Sequence, residues 1–224
     1  MIEFIFMLTK DDRTIVDATK VLDSIADSGL RYVGFKDVGA DPARQREITV
    51  RAHDLGMEVM LEVVSTSAEA EANSVRSARA AEVDWVLGGT NPEAGTQILA
   101  GTDIRYCPFP GTVTGHPSVL SGSIDDIAAS AASLSGMEGV HGVDLLTYRH
   151  AEADPEKLTH AVVAACDGPV IAAGAVVTRD QINLLNRSGA WGFTIGSAIF
   201  NGQLPGAPSV PAQVQTVLGW LEDS

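Results

Sequence analysis

Apolar residues cluster in short runs along this chain, and polar, Gly- or Ala-rich stretches separate them. Eight runs stand out, at 2–8, 32–36, 58–64, 85–89, 104–109, 140–146, 169–173 and 191–195. Each is bounded by Gly, Pro or Asp and has the length of a buried strand rather than a helix. The segments between them carry helical spacing, as with Val16, Leu22 and Ile25 in VDATKVLDSIADSG, where positions three or four apart share a face. Several of these segments end in a glycine just ahead of the next run, at Gly29, Gly56 and Gly189, where a left-handed helix cap is expected. After Gly206 the tail repeats the helical pattern with Val214, Val217, Leu218 and Leu221 and predicts a closing helix.

Strand and helix patterns that alternate imply a parallel sheet, because each helix must carry the chain back across it. The strand starts lie about 20 to 36 residues apart, the size of one βα unit. Eight such units in 224 residues predict an α/β fold, a closed (β/α)8 TIM barrel forming one domain over 1–224. The first turn, LTKDDRT, has no glycine, which argues against a dinucleotide site of the GxGxxG kind.

Charge narrows the partners. Fifteen Lys and Arg against 29 Asp and Glu give a net charge of −14, and such a field repels phosphate backbones and anionic lipid surfaces. No nucleic acid or membrane partner is therefore expected, and no apolar run approaches the roughly 18 residues of a membrane span. The expectation is a cytoplasmic protein, with exposed helix faces that would suit a homodimer. The two cysteines, Cys107 and Cys166, lie far apart without CxxC spacing and read as free thiols.

Candidate chemistry begins at the last two strands. The seventh ends in IAAGAV, at Ala173, Gly174 and Ala175, and the eighth in TIGSAIF, at Gly196 and Ser197. In a barrel of this kind these two corners lie side by side at the carboxyl ends of the strands. Small residues there let an oxyanion approach the main-chain amides, so all five are expected to bind phosphate.

The motifs AAGAV at 172–176 and TIGSAIF at 194–200 resemble those of the ribulose-phosphate-binding barrel superfamily, which includes phosphoribosyl isomerases, indole-glycerol-phosphate synthase-like enzymes, sugar-phosphate epimerases and decarboxylases. The resemblance implies a small phosphorylated ligand held at these corners. It does not extend to the acid–base pairs of the best-known members: paired aspartates on strands one and five and a DxK motif on strand three are absent here.

Catalytic groups in such barrels sit at the carboxyl ends of the strands. Strand two ends in GFKDVG, which offers Lys36 as an anion holder, a proton donor or a Schiff-base amine. Glu62 interrupts the apolar stretch MLEVV on strand three, and a carboxylate buried there needs a partner such as Lys36. Strand six reads GVDLLTYRHA, placing Asp144 inside the run and Tyr148, Arg149 and His150 where strand gives way to loop. Arg149 is a candidate fork for a phosphate or carboxylate, and Asp144 and His150 are candidate proton-transfer groups. The segment 107–123 is the longest irregular one; its length suits a lid carrying His116 over the substrate, with a helix starting near Ser123. The five histidines never pair at i,i+4 and no HxH occurs, so no metal or other cofactor is expected; a divalent ion would require Glu62, His116 and Asp144 to converge in space.

The leading reading is an enzyme acting on a small phosphorylated sugar or sugar acid through an enediolate, an isomerase or epimerase. Glu62 is then the base, Lys36 polarises the carbonyl, and Asp144 or His150 completes proton transfer. Two alternatives stand beside it: a Schiff-base aldolase or lyase using Lys36, and a ligand sensor that kept the phosphate corner without turnover.

Overall fold

In the computed structural model, which describes residues 2–222, the eight apolar runs pair side by side in parallel. The strands are β1 (Glu3–Met7), β2 (Tyr32–Lys36), β3 (Glu58–Val63), β4 (Trp85–Gly88), β5 (Arg105–Cys107), β6 (Val143–Leu145), β7 (Val170–Ala172) and β8 (Gly192–Ile195). Hydrogen-bonded neighbours follow chain order from β1 to β5 and from β6 to β8, with β8 returning to β1. The remaining seam, between β5 and β6, is laced from just outside the strands. His141 N donates to Tyr106 O at 2.8 Å and Asp144 N to Pro108 O at 3.0 Å, while the Tyr106 amide donates to His141 Nδ1 at 3.1 Å. The cylinder is thereby nearly closed.

The helices α1 (Ala18–Ser24), α2 (Pro42–Asp54), α3 (Ala68–Ala81), α4 (Pro92–Leu99), α5 (Ile124–Ser135), α6 (Pro155–Ala165), α7 (Arg179–Arg187), the short α8 (Ser197–Phe200) and α9 (Val210–Glu222) lie outside the strands. Their starts follow the sequence. Asp41, Ser67, Asn91, Ser123, Asp154 and Thr178 each accept a hydrogen bond from an amide in the first turn of the helix they open, which satisfies a donor that has no partner within the helix. Among the described residues no helix is long and apolar enough to cross a membrane.

Strand side chains alternate between two cores. Phe4, Phe6, Val33, Phe35, Val59 and Leu61 face outward against the helices, while Ile5, Met7, Tyr32, Met60, Trp85, Leu87, Cys107 and Ile171 fill the cylinder. That phase decides where chemistry can sit. Lys36 and Glu62 fall on the inward positions after Tyr32 and Met60, and they are direct register partners across β2 and β3. Asp144 is likewise set between Val143 and Leu145, which both belong to the outer core.

Two short hairpins depart from the sequence expectation of loops. Thr9–Lys10 pairs with Arg13–Thr14, and Thr112–Thr114 with Val119–Ser121. In the first, the two turn residues Asp11 and Asp12 both adopt left-handed backbone, at φ 51° and 61°. That is the signature of a two-residue turn whose twist matches the strands it joins, and Asp tolerates it better than most residues.

Candidate functional site

At the carboxyl ends of the strands lies a cavity of about 400 Å³. Its wall includes Asp12, Lys36, Glu62 and Arg149 together with Gly174, Ala175, Gly196 and Ser197, and also Thr9, Thr194, Asn201 and Gln203. Lys36 is the hub. Its Nζ lies 2.6 Å from Asp12 Oδ1 and 3.4 Å from Glu62 Oε1, and its side chain is only 6% exposed. Burial alone would strip the proton from this amine, but the charges of Glu62 and Asp12 outweigh it and hold its pKa above the ordinary lysine value. Lys36 is an ammonium at neutral pH.

Asp12 joins three loops. Its Oδ1 also accepts from Arg149 Nη2 at 3.0 Å, and its Oδ2 faces His116 Nδ1 at 3.4 Å without completing a hydrogen bond. Burial favours the neutral acid, yet Lys36 and Arg149 together hold the Asp12 carboxyl below the usual range. His116, in the turn of the second hairpin, therefore touches the charged cluster, and its neighbour Pro117 reaches the cavity wall. Asp12 was not among the residues singled out from the sequence. The signal was there in TKDDRT, where two turn-tolerant residues separate two polar pairs, but nothing in the spacing shows what a turn aims at.

Asp144 is fully buried inside the cylinder, off the cavity wall, and neither of its oxygens has a hydrogen-bond partner. Burial, and then the nearby charge of Glu62, push its carboxyl pKa well up. Both causes favour the neutral form of the Asp144 carboxyl. The Cys107 thiol is also pushed well up by burial and is inert packing.

The glycine corners come together at one end, as their sequence suggested, but for a more local reason. A side chain on Gly196 would strike the Thr9 hydroxyl and come within 3.2 Å of Met7 Cβ, so the missing bulk lets β8 pass close to the first hairpin. A side chain on Gly174 would meet the Arg149 stem at 2.8 Å from Cδ, so Arg149 lies directly across that corner. Gly174 and Ala175 are consecutive left-handed residues, at φ 81° and 58°, and the second is an uncommon state for alanine. Among the described residues, the amides of Gly174, Ala175 and Gly196 donate to no main-chain acceptor. Ser197 opens α8, and its hydroxyl accepts from the Asp11 amide at 3.1 Å, tying this corner to the first hairpin.

Besides Asp144 and His116, two more expected site residues lie off the cavity wall. Ala173 is buried in the outer core, and its amide is already taken by Leu145 O at 2.8 Å, so it has no free donor for an anion. His150 is not on the cavity wall: its Nδ1 accepts from the amides of Glu152 and Ala153, at 3.2 and 2.9 Å, which leaves Nε2–H to donate to Gly122 O at 2.8 Å. Both ring nitrogens are spent ordering a loop. Among the described residues, no group of three or more His, Cys, Asp and Glu is placed to hold a metal ion.

Comparison with solved structures aligns the whole cylinder. Orotidine 5'-phosphate decarboxylase from Pyrococcus horikoshii OT3 superposes with a TM-score of 0.67 at 13% identity, covering 98% of this chain and 99% of that one. The fold is a TIM barrel. N-(5'-phosphoribosyl)anthranilate isomerase from Pyrococcus furiosus, with a TM-score of 0.62 at 12% identity, matches this barrel over the full length of both chains. A native KDPGal structure gives a TM-score of 0.69 at 14% identity, over 98% of this chain and 94% of that one. No family model matches the barrel's sequence, and no curated protein matches it.

Proposed function

We propose that this barrel is an enzyme acting on a small phosphorylated sugar or sugar acid, moving a proton at the carbon beside a carbonyl as an isomerase or epimerase. One observation carries the reading: a buried ammonium, Lys36, sits in register beside the carboxylate Glu62 on the wall of a cavity that the Gly174–Ala175 and Gly196–Ser197 corner also lines. A phosphate ester fits that corner, where free amides and the Arg149 fork supply charge-assisted donors. The carbonyl oxygen then lies over Lys36. Glu62 takes the proton from the adjacent carbon, and the Lys36 ammonium stabilises the negative oxygen of the enediolate that results. Return of the proton to the neighbouring carbon, with the hydroxyl proton there passing to the former carbonyl oxygen, gives isomerisation; protonation of the original carbon on its other face, by a donor other than Glu62, gives epimerisation.

Two neighbouring folds carry phosphorylated substrates in their names, which favours a phosphorylated ligand here as well. A Schiff base through Lys36 requires the free amine, and two carboxylates withhold it. A sensor would need the phosphate corner but not the buried ion pair.

The test has two arms. In D2O with D-ribulose 5-phosphate and other ketose and aldose phosphates, proton NMR should show deuterium entering beside the carbonyl for one of them, and Glu62→Gln should abolish it. Thermal protection by that same ester should survive the substitution, reaching about 2.7 kcal/mol at 100 times its Kd. A panel that neither exchanges nor protects would sink the proposal, and a borohydride-trapped adduct on Lys36 would replace it with aldolase chemistry.

A further inference from the structure

Arg149 is committed twice. Its Nη2 binds Asp12 Oδ1 at 3.0 Å and its Nη1 lies 3.4 Å from Ser118 O, while its stem crosses Gly174 beside the free amides of the corner. Nε is the guanidinium atom nearest that corner, 2.5 Å from where a Gly174 side chain would begin, so an anion seated at Gly174 and Ala175 that forks onto Nε and Nη2 competes with the carboxylate for Nη2. Asp12 is equipped for that loss. The same Oδ1 keeps Lys36 at 2.6 Å, so its charge stays paired when Arg149 departs, and the left-handed turn at Asp11 and Asp12 holds it in place.

The geometry points to Asp12 as a residue that competes with the ligand's phosphate for Arg149 and so sets the affinity of the corner. This rests on reading the glycine corner as a phosphate site. A dianionic phosphate displaces one carboxylate from the guanidinium, whereas an uncharged sugar offers no group to do so. Asp12 therefore lowers the affinity for a phosphorylated ligand, which must displace it, and leaves an uncharged sugar, which displaces nothing, unaffected. Arg149 also joins the loop after β6 to both hairpins through Asp12 and Ser118, so the exchange releases contacts that bridge the mouth.

The probe is inorganic phosphate, titrated calorimetrically against the full chain. Asp12→Asn retains an oxygen for Lys36 but no charge for Arg149, and should bind phosphate about tenfold more tightly than the parent, the worth of one charged hydrogen bond. Loss of a merely structural residue would weaken binding instead. Arg149→Gln should bind about tenfold more weakly, and adding Asp12→Asn to it should restore little, because the competition has lost its object. Unchanged or weaker binding by Asp12→Asn overturns the competition while leaving the phosphate site standing. An equal gain in the Arg149→Gln background overturns it too, since that gain is simple charge repulsion. If neither parent nor variants bind phosphate, the corner and the competition fall together. Asp12→Ser, shorter and uncharged, repeats the measurement should the asparagine variant fold poorly, with the same tightening expected and its absence equally fatal.

Discussion

Asp144 carries the sharpest consequence of any single side chain. In the unfolded chain its carboxyl titrates near 3.8, whereas burial and then Glu62 raise it well above that in the fold. Between those two values the folded chain binds more protons, so stability falls as pH rises through the window. Asp144→Asn removes the titration. The difference in Tm between variant and parent should therefore move in the variant's favour as the pH rises above about 4, read by calorimetry. A difference that stays flat would mean Asp144 ionises freely. Residues of this kind were legible in the sequence because Lys36, Glu62 and Asp144 each break an apolar run on an inward position. Asp12 was not, since its role depends on what a two-residue turn points at. Ala173 and His150 misled for a related reason: sequence proximity to a site says nothing about whether an amide or a ring nitrogen is already bonded.

Among elements, the eight strands and the helices that α5 and α9 represent could be read from period and caps, and Ser123 does open α5. The hairpins could not. Strands of two or three residues are too short to show a period, and only turn chemistry signals them. That chemistry also makes the first hairpin testable. Asp11 sits at φ 51°, so a β-branched residue there meets the steric penalty of left-handed backbone. Asp11→Val should lose about 1–2 kcal/mol in urea unfolding. Asp11→Gly should stay within about 0.5 kcal/mol of the parent, because relief of crowding is offset by the greater freedom of the unfolded chain. Equal behaviour of the two variants would show that the hairpin does not depend on its turn.

Over the whole molecule, the two ends of the barrel divide the labour. The amino-terminal end is plugged by aromatic and charged groups: Trp85 lies 5.1 Å from Trp191 between ring centres, Arg105 covers it at 4.5 Å, and its indole N–H donates to Glu58 at 3.1 Å. The carboxyl-terminal end holds the buried charges, whose fixed pairs make the cavity but contribute little net stability once desolvation is counted. Trp85→Ala should cost about 3–5 kcal/mol in denaturant unfolding while phosphate affinity under native conditions stays within about twofold. A matching loss of affinity would show that the two ends are coupled. The net charge of −14 reaches the ligand through solvent and is screened there, so recognition falls to the few cations inside the cavity.

The lacing between β5 and β6 gives the cylinder a weak line. Every other joint is a strand-to-strand ladder, whereas this one hangs on His141, Tyr106, Asp144 and Pro108. The amides of His141 and Asp144 should therefore exchange with solvent sooner than those of the other ladders, a difference that hydrogen exchange would read.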